Sequence, residues 1–313
     1  MDIAMVGLGK MGAAMAERLL QGGHRVVACD LDPKAVRAAE SKGAAGAANL
    51  AEVARALKPP RAVWVMVPAG EATEKTIGEL ARLLSPGDII VDGGNSNYRD
   101  TIRRAGELKR RGIRFVDAGT SGGVWGLGNG YSLMVGGEKD AVEAIRPILA
   151  TLAPGPKTGW GRVGPSGAGH FVKMVHNGIE YGLMAAYAEG FELLRRKEEF
   201  ALDLAAVAEI WRSGSVVRSW LLDLIARSLA ENPGLAGIAA YVPDSGEGRW
   251  TVQEGIDLGV PLPVITLALQ QRFRSRESSP FADKLLAALR AEFGGHAVKK
   301  EETPTGPGEL SPG

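Results

Sequence analysis

In the first half of the chain, short unbroken apolar runs alternate with stretches whose apolar residues recur at helical spacing. DIAMVG, RVVACD, AVWVMVP, DIIVDGG and RFVDAGT read as buried strands, and MGAAMAERLLQ, PKAVRAAESKG, EATEKTIGELARLL and RDTIRRAGELKRRG between them read as amphipathic helices. That alternation predicts a parallel, doubly wound α/β sheet. YSLMVGG and KTGW add two further strands around a helix from Ala141 to Leu152. From about Ser166 the period changes. A long helix reaches about Arg196, and others follow around 202–212, 216–230, 263–274 and 282–293. Val217, Leu221, Leu224, Ile225 and Leu229 show the helical stripe most clearly. The pattern therefore predicts an α/β domain over residues 1–163, an all-α domain over 164–298 with its hinge near Val163–Gly167, and a Pro- and Gly-rich disordered tail over 299–313.

The strands end in small and polar residues: Gly7-Leu8-Gly9, Asp30, Pro68-Ala69-Gly70, Gly93-Gly94-Asn95-Ser96 and Gly119-Thr120-Ser121-Gly122-Gly123. In an open parallel sheet such tips share one edge, where ligands bind. Gly7, Gly9 and Gly12 form G-x-G-x-x-G between the first strand and the first helix, and Asp30 closes the second strand, so the sheet reads as a Rossmann-type dinucleotide-binding domain. The glycines let backbone approach a pyrophosphate at a helix N-terminus. Asp30 would accept hydrogen bonds from the adenosine ribose and repel a 2′-phosphate; as a turn former it could instead serve Asp30-Leu31-Asp32-Pro33. NAD is the expected cofactor, with weaker use of NADP through Lys34 and Arg37. The expected contacts are Gly7, Leu8, Gly9, Lys10, Met11, Gly12, Asp30, Val67, Pro68 and Asn95.

The densest chemistry lies in GHFVKMVHNGIEYG, from Gly169 to Gly182. On a helix, Lys173, His176, Asn177, Glu180, Tyr181 and Met184 share one face, while Val172, Val175, Ile179, Leu183 and Ala186 share another. The apolar stripe is expected to pack into a core, which turns the polar stripe toward a cleft.

Composition narrows the partners. Lys plus Arg is 37 against 36 for Asp plus Glu, so no global field recruits nucleic acid or an anionic membrane. A strand-like segment follows Met1 directly, and runs such as Ala62–Val67 are too short to span a bilayer, so a cytoplasmic protein is expected. Cys29 is the single cysteine and the four histidines are scattered, which excludes an internal disulfide and predicts no metal site.

GLGKMG, DGGNS, DAGTSGGVWG, GHFVKMVHNGIEYG, GRWT and FGGH, in that order, resemble the decarboxylating 6-phosphogluconate dehydrogenases from residue 2 to about 298, in a short-chain form. The resemblance implies oxidation and decarboxylation of 6-phosphogluconate to ribulose 5-phosphate and CO2, without metal, in a homodimer or homotetramer with shared active sites. Lys173 matches the family's catalytic lysine and Glu180 its acid. Asn177 resembles the residue that bonds substrate and nicotinamide, and His176 orients the site. Asn95, Ser121, Gly122 and Gly123 resemble contacts to the sugar acid, and Tyr181 and Arg272 resemble phosphate ligands, with Arg274 and Arg276 as alternatives to Arg272. Arg290 and His296, in Arg290-Ala291-Glu292-Phe293-Gly294-Gly295-His296, resemble a segment that reaches the partner's pocket.

The residue types suit this chemistry. A lysine acting as base must be neutral, so burial must lower its pKa toward the working pH, at a cost of about 4 kcal/mol. Protonated Lys173 could then stabilise an enolate oxygen while CO2 leaves, and Glu180 could protonate the enediol. One departure stands out: Ser245 occupies the place of a phosphate-binding lysine of the longer family members. It leaves open a non-decarboxylating β-hydroxyacid dehydrogenase for a smaller 3-hydroxy acid. A non-catalytic dinucleotide sensor is a third reading, disfavoured by the intact Lys173, Asn177 and Glu180.

Overall fold

A computed structural model of the chain describes residues 1–294 and 297–300. The elements are β1 (Asp2–Val6), α1 (Lys10–Gln21), β2 (Arg25–Cys29), α2 (Pro33–Glu40), β3 (Ala45–Ala47), α3 (Leu50–Ala56), β4 (Ala62–Val65), α4 (Glu71–Leu83), β5 (Ile89–Asp92), α5 (Tyr98–Arg110), β6 (Arg114–Ser121), α6 (Gly126–Asn129), β7 (Ser132–Gly137), α7 (Lys139–Ala144), α8 (Arg146–Leu152) and β8 (Trp160–Gly164). Helices follow: α9 (Ala168–Arg196), α10 (Leu204–Arg212), α11 (Trp220–Glu231), α12 (Glu247–Asp257), α13 (Pro263–Arg274) and α14 (Phe281–Gly294).

The strands form one sheet in the order β3-β2-β1-β4-β5-β6-β7-β8, parallel except where β7 runs antiparallel to β6. The first six follow the doubly wound order predicted from the alternation. Successive residues of β1 feed opposite layers: Ile3 and Met5 pack with Met15, Leu19 and Leu149, whereas Ala4 and Val6 pack with Val53, Ile77 and Leu80. Both faces are buried, which is why these strands read as continuous apolar runs.

Several local expectations shift. β7 reverses because only the short helical segment after Ser121 joins it to β6, and a parallel pair needs a crossover of about a dozen residues or more. The helix expected from Ala141 to Leu152 is two, α7 and α8, broken at Ile145 just before Pro147, which cannot donate to a preceding carbonyl. The strand placed in KTGW begins at its last residue and runs Trp160–Gly164. β3, α3 and α12 have no counterpart in the predicted elements.

The 29-residue α9 leaves the sheet's edge and becomes the spine of the helical half. Asp117 of β6, fully buried, accepts the backbone N–H of Gly167 at 2.8 Å and of His170 at 2.9 Å. A carboxylate at a helix N-terminus satisfies otherwise orphan donors and meets the positive end of the dipole. Close approach depends on glycine: a Cβ on Gly119 would stand 2.4 Å from Lys173 Cβ, and one on Gly169 would stand 2.5 Å from Met134 O.

The outer stripe of α9 corrects the sequence reading. Val172, Ile179 and Leu183 are 37%, 52% and 45% exposed, not packed into a core of this chain. The buried positions are Lys173, Met174, Asn177, Gly178, Tyr181 and Gly182, the polar side, which the sheet, α12 and α13 cover. Helical periodicity separates two faces of a helix without saying which layer covers each.

Candidate active site

A cleft of about 1110 Å³ lies along the strand tips, between the glycine loop and the start of α12. Gly7, Gly9, Lys10, Met11, Gly12, Asp30, Val67, Pro68 and Asn95 all line it. The three glycines serve different needs. Gly7 has φ +94° and a Cβ there would stand 2.5 Å from Met66 O, while a Cβ on Gly12 would stand 2.0 Å from Gly7 O. At Gly9 a Cβ would meet nothing within 4 Å, so that glycine faces open space. Gly9 caps α1 without a side-chain bond, and the first turn carries no acid, which leaves its N–H groups to an incoming anion. Leu8 departs from the rest. Its side chain is 6% exposed in the core, and its N–H donates to Asp30 Oδ2 at 2.5 Å.

Asp30 serves the turn and also borders the cleft. Its Oδ1 accepts the N–H of Asp32 at 2.8 Å, holding the turn in which Asp32 caps α2. The DGGNS loop hangs on buried Asp92, whose oxygens accept Gly94 N–H at 3.1 Å and Ser96 Oγ–H at 2.8 Å. Asn95 is thereby left exposed at the cleft. Ser121 ends β6 paired with Ser132, and Gly122 (φ +137°) and Gly123 (φ +53°) turn the chain away. Thr120, one residue earlier, is the β6 residue that lines the cleft.

Lys173 is 7% exposed, and its Nζ donates to Asn177 Oδ1 at 2.7 Å. His176 Nδ1 lies 3.0 Å from the same amide oxygen, 3.5 Å from Lys173 Nζ and 3.9 Å from Glu180 Oε2. Burial pushes the Lys173 ammonium below its ordinary range; the negative charges of Glu180 and Glu247 pull the other way. One turn on, Tyr181 is 5% exposed and its ring carries the Arg272 guanidinium 3.6 Å from the centroid. Tyr181 Oη accepts the N–H of Ser245 at 3.3 Å.

Among the described residues Arg272 donates to Pro243 O (2.8 Å) and contacts Met184 Sδ (3.6 Å), with no carboxylate partner. Arg274 and Arg276 are instead paired to Asp283 and Asp244. Of the three arginines, Arg272 therefore has the charge to offer an anion. Arg290 lies on α14, where every residue from 281 to 290 is exposed, away from the cleft. His296, and the predicted tail beyond Lys300, lie outside the described residues.

Sequence reading missed Glu247 and the α12 helix that carries it, because its apolar residues do not make a regular stripe; the GRWT motif was the available signal. It also missed Asp117 as the cap of α9. Among the described residues no His, Cys, Asp or Glu cluster could hold a metal, and no helix is long and apolar enough to cross a membrane.

An uncapped glycine loop and an acidic β2 end on one cleft, with a buried lysine on the helix that packs against the same sheet, fit a dinucleotide-dependent oxidoreductase; Lys173, His176, Asn177, Glu180 and Tyr181 do not themselves line that cleft. Comparison with known proteins narrows the class. Residues 2–161 match the family model described as the NAD binding domain of 6-phosphogluconate dehydrogenase, and residues 169–303 match that of its C-terminal domain. The chain is 44% identical over 301 residues to a putative 6-phosphogluconate dehydrogenase, YqeC, of Bacillus subtilis, and 43% identical over 303 residues to a decarboxylating NAD(+)-dependent 6-phosphogluconate dehydrogenase of Haloferax volcanii. Each match covers 96% of this chain and the whole relative. Plasmodium falciparum 6-phosphogluconate dehydrogenase superposes with a TM-score of 0.81 at 27% identity, over 98% of this chain and 67% of that one. The chain belongs to the 6-phosphogluconate dehydrogenase family.

Proposed function

We propose that the protein oxidises and decarboxylates 6-phosphogluconate to ribulose 5-phosphate and CO2, with NAD as its preferred acceptor. The observation that carries this reading is the buried stripe of α9: a desolvated lysine bonded to Asn177, with a carboxylic acid on the same face and a cation-bearing Tyr181 beyond it. Lys173, neutral, takes the proton of the 3-hydroxyl. The bound nicotinamide supplies the hydride acceptor. Lys173, now an ammonium, stabilises the enolate oxygen as the carboxylate leaves as CO2, and Glu180 delivers a proton to carbon 1. Asn177 and His176 hold the lysine in place, and Asn95, Ser121, Gly122 and Gly123 at the strand tips are the positions for the acid end. Tyr181 and Arg272 take the phosphate, which favours this substrate over a smaller 3-hydroxy acid although Ser245 replaces the longer members' lysine.

The acidic Asp30-Leu31-Asp32 turn supports NAD, because two carboxylates there oppose a 2′-phosphate; exposed Lys34 and Arg37 on α2 leave NADP a weaker acceptor. Relatives point both ways. One Bacillus subtilis relative, 36% identical, is described as NAD(+)-dependent, and another, 37% identical, as NADP(+)-dependent. A homodimer or homotetramer with shared sites is supported by apolar surface that this chain leaves open: Val172, Ile179 and Leu183 on α9, and Phe281, Leu285, Leu286 and Leu289 on α14. Arg290 and His296 would enter the partner's pocket, and a cytoplasmic enzyme goes with this reading. The test is an assay of 6-phosphogluconate and a 3-hydroxy acid panel with NAD and NADP, following nicotinamide absorbance and released CO2. The reading requires equal amounts of NADH and CO2 from 6-phosphogluconate and a higher kcat/KM with NAD. Reduction without CO2, or a clear NADP preference, would contradict it.

A further inference from the structure

The first turn of α12 holds a carboxylate that the chemistry above does not use. Glu247 is 2% exposed, and its Oε1 has no hydrogen-bond partner among the described residues. The other oxygen, Oε2, accepts Ser245 Oγ–H at 2.5 Å, which fixes the side chain. Both residues line the cleft together with Asn95 and Thr120. A buried acceptor without a donor is costly and rare, so a donor arriving with a ligand is the natural complement.

Contacts on either side place Glu247 along the α9 stripe. Thr251 Oγ1 lies 2.9 Å from Met174 O, next to Lys173, and 2.8 Å from Glu247 O. Gly178 lets the two helices meet there, since its Cβ would stand 2.7 Å from Thr251 Cγ2. Toward the other end, Gly248 abuts the Tyr181 ring and Ser245 N–H reaches Tyr181 Oη, under the Arg272 guanidinium. A bond from Tyr98 Oη to Glu254 Oε2, at 2.6 Å, anchors α12 to α5 of the sheet half. Glu247 therefore stands between the base and the phosphate ligands, and its negative charge is felt at Lys173.

A carboxylate repels phosphate and gains nothing from a C–H group, so only an O–H or N–H can complete it. In 6-phosphogluconate the atoms between the oxidised carbon and the phosphate carry hydroxyls at carbons 4 and 5. We propose that Glu247 is a specificity-determining residue whose free Oε1 accepts a hydrogen bond from one of these hydroxyls, so that the site selects a polyhydroxy acid over a shorter or deoxygenated one. The inference rests on the reading of the substrate given above.

The test compares the wild-type protein with Glu247→Ala and Glu247→Gln at saturating NAD, using 6-phosphogluconate and its 4-deoxy and 5-deoxy analogues. One analogue should cost the wild type on the order of 10- to 100-fold in kcat/KM, the range of a hydrogen bond to a charged group. Glu247→Ala should lose a similar factor on 6-phosphogluconate and nothing further on that analogue, with the KM for NAD unchanged. Glu247→Gln, nearly the same shape, should show the same non-additivity with a smaller loss, and decides the matter if the alanine variant does not fold. Equal loss on every substrate, no loss on any, or a raised KM for NAD would overturn the proposal. A wild-type protein inert toward 6-phosphogluconate would instead overturn the underlying function, and this inference with it.

Discussion

The sheet half and the helical half differ in how much apolar surface one chain leaves open. On the sheet side each loop is fixed from within: Asp30 holds the glycine loop and its own turn, Asp92 holds DGGNS, and Gly7 and Gly12 admit contacts that any Cβ would block. On the helical side α9 is equally fixed where it meets the sheet, yet its outer stripe is exposed and α14 shows apolar residues to solvent. The sheet half leaves few large apolar side chains exposed, whereas the helical half leaves an apolar stripe that the proposed second copy would cover. Variants on either side should therefore separate cofactor binding, chemistry and assembly.

The largest effect is expected from Lys173→Ala, which should lower kcat by about 10⁴-fold or more because in the proposed mechanism one amine serves both oxidation and decarboxylation. NADH binding, followed by fluorescence, should persist; its loss would show that Lys173 belongs to the cofactor half. Next comes Gly119→Ala, which sets a methyl against Lys173 Cβ and the Gly169 carbonyl. Displacing the lysine should cost about 100-fold in kcat, and the crowding about 1–3 kcal/mol in a denaturant titration. Unchanged activity and stability would mean that α9 shifts freely on the sheet.

Glu180→Gln should fall below Lys173→Ala in severity, retaining decarboxylation of a supplied 3-keto analogue while failing to protonate the enediol. It also carries a pH signature. Burial lowers the Lys173 pKa and Glu180 opposes that, so removing the carboxylate's charge should release the proton at lower pH. The acid limb of kcat/KM for the oxidation step should move down in pH; a limb that stays in place or moves up would break the assigned pairing. The smallest effect is expected from Asp30→Asn, which keeps an acceptor for Leu8 N–H but loses the charge. The NADP/NAD ratio of kcat/KM should rise about tenfold, or about 1.4 kcal/mol, and a ratio that does not change would place cofactor choice elsewhere.

Much of this arrangement was legible in the sequence, for reasons that vary by element. β1, β2, β4, β5 and β6 are buried on both faces, and their apolar runs announced them; α9 was visible because its two stripes are chemically distinct. Tertiary context made the rest. β3 is three small residues, Ala45–Ala47, that become a strand by pairing with β2. Asp117 reads as one more strand residue until α9, many positions later, starts above it. The α9 outer stripe misled because an exposed apolar face has the same composition and spacing as a face in a core. Likewise, three arginines near the end of α13 have the same chemistry until Asp283 and Asp244 claim two of them.

The proposal that a second copy completes the substrate site is tested by mixing subunits. On that proposal, Lys173→Ala protein lacks the base but keeps the chain end, and an Arg290→Ala, His296→Ala double variant keeps the base but lacks the residues proposed to reach the partner. After exchange between dimers, hybrid molecules hold one site with both parts. Activity should rise from near zero to about one quarter of the wild-type level when equal amounts are fully exchanged. Persistent inactivity, with subunit exchange shown by native mass spectrometry of a tagged partner, would contradict it and place Arg290 and His296 in their own chain's site or in none.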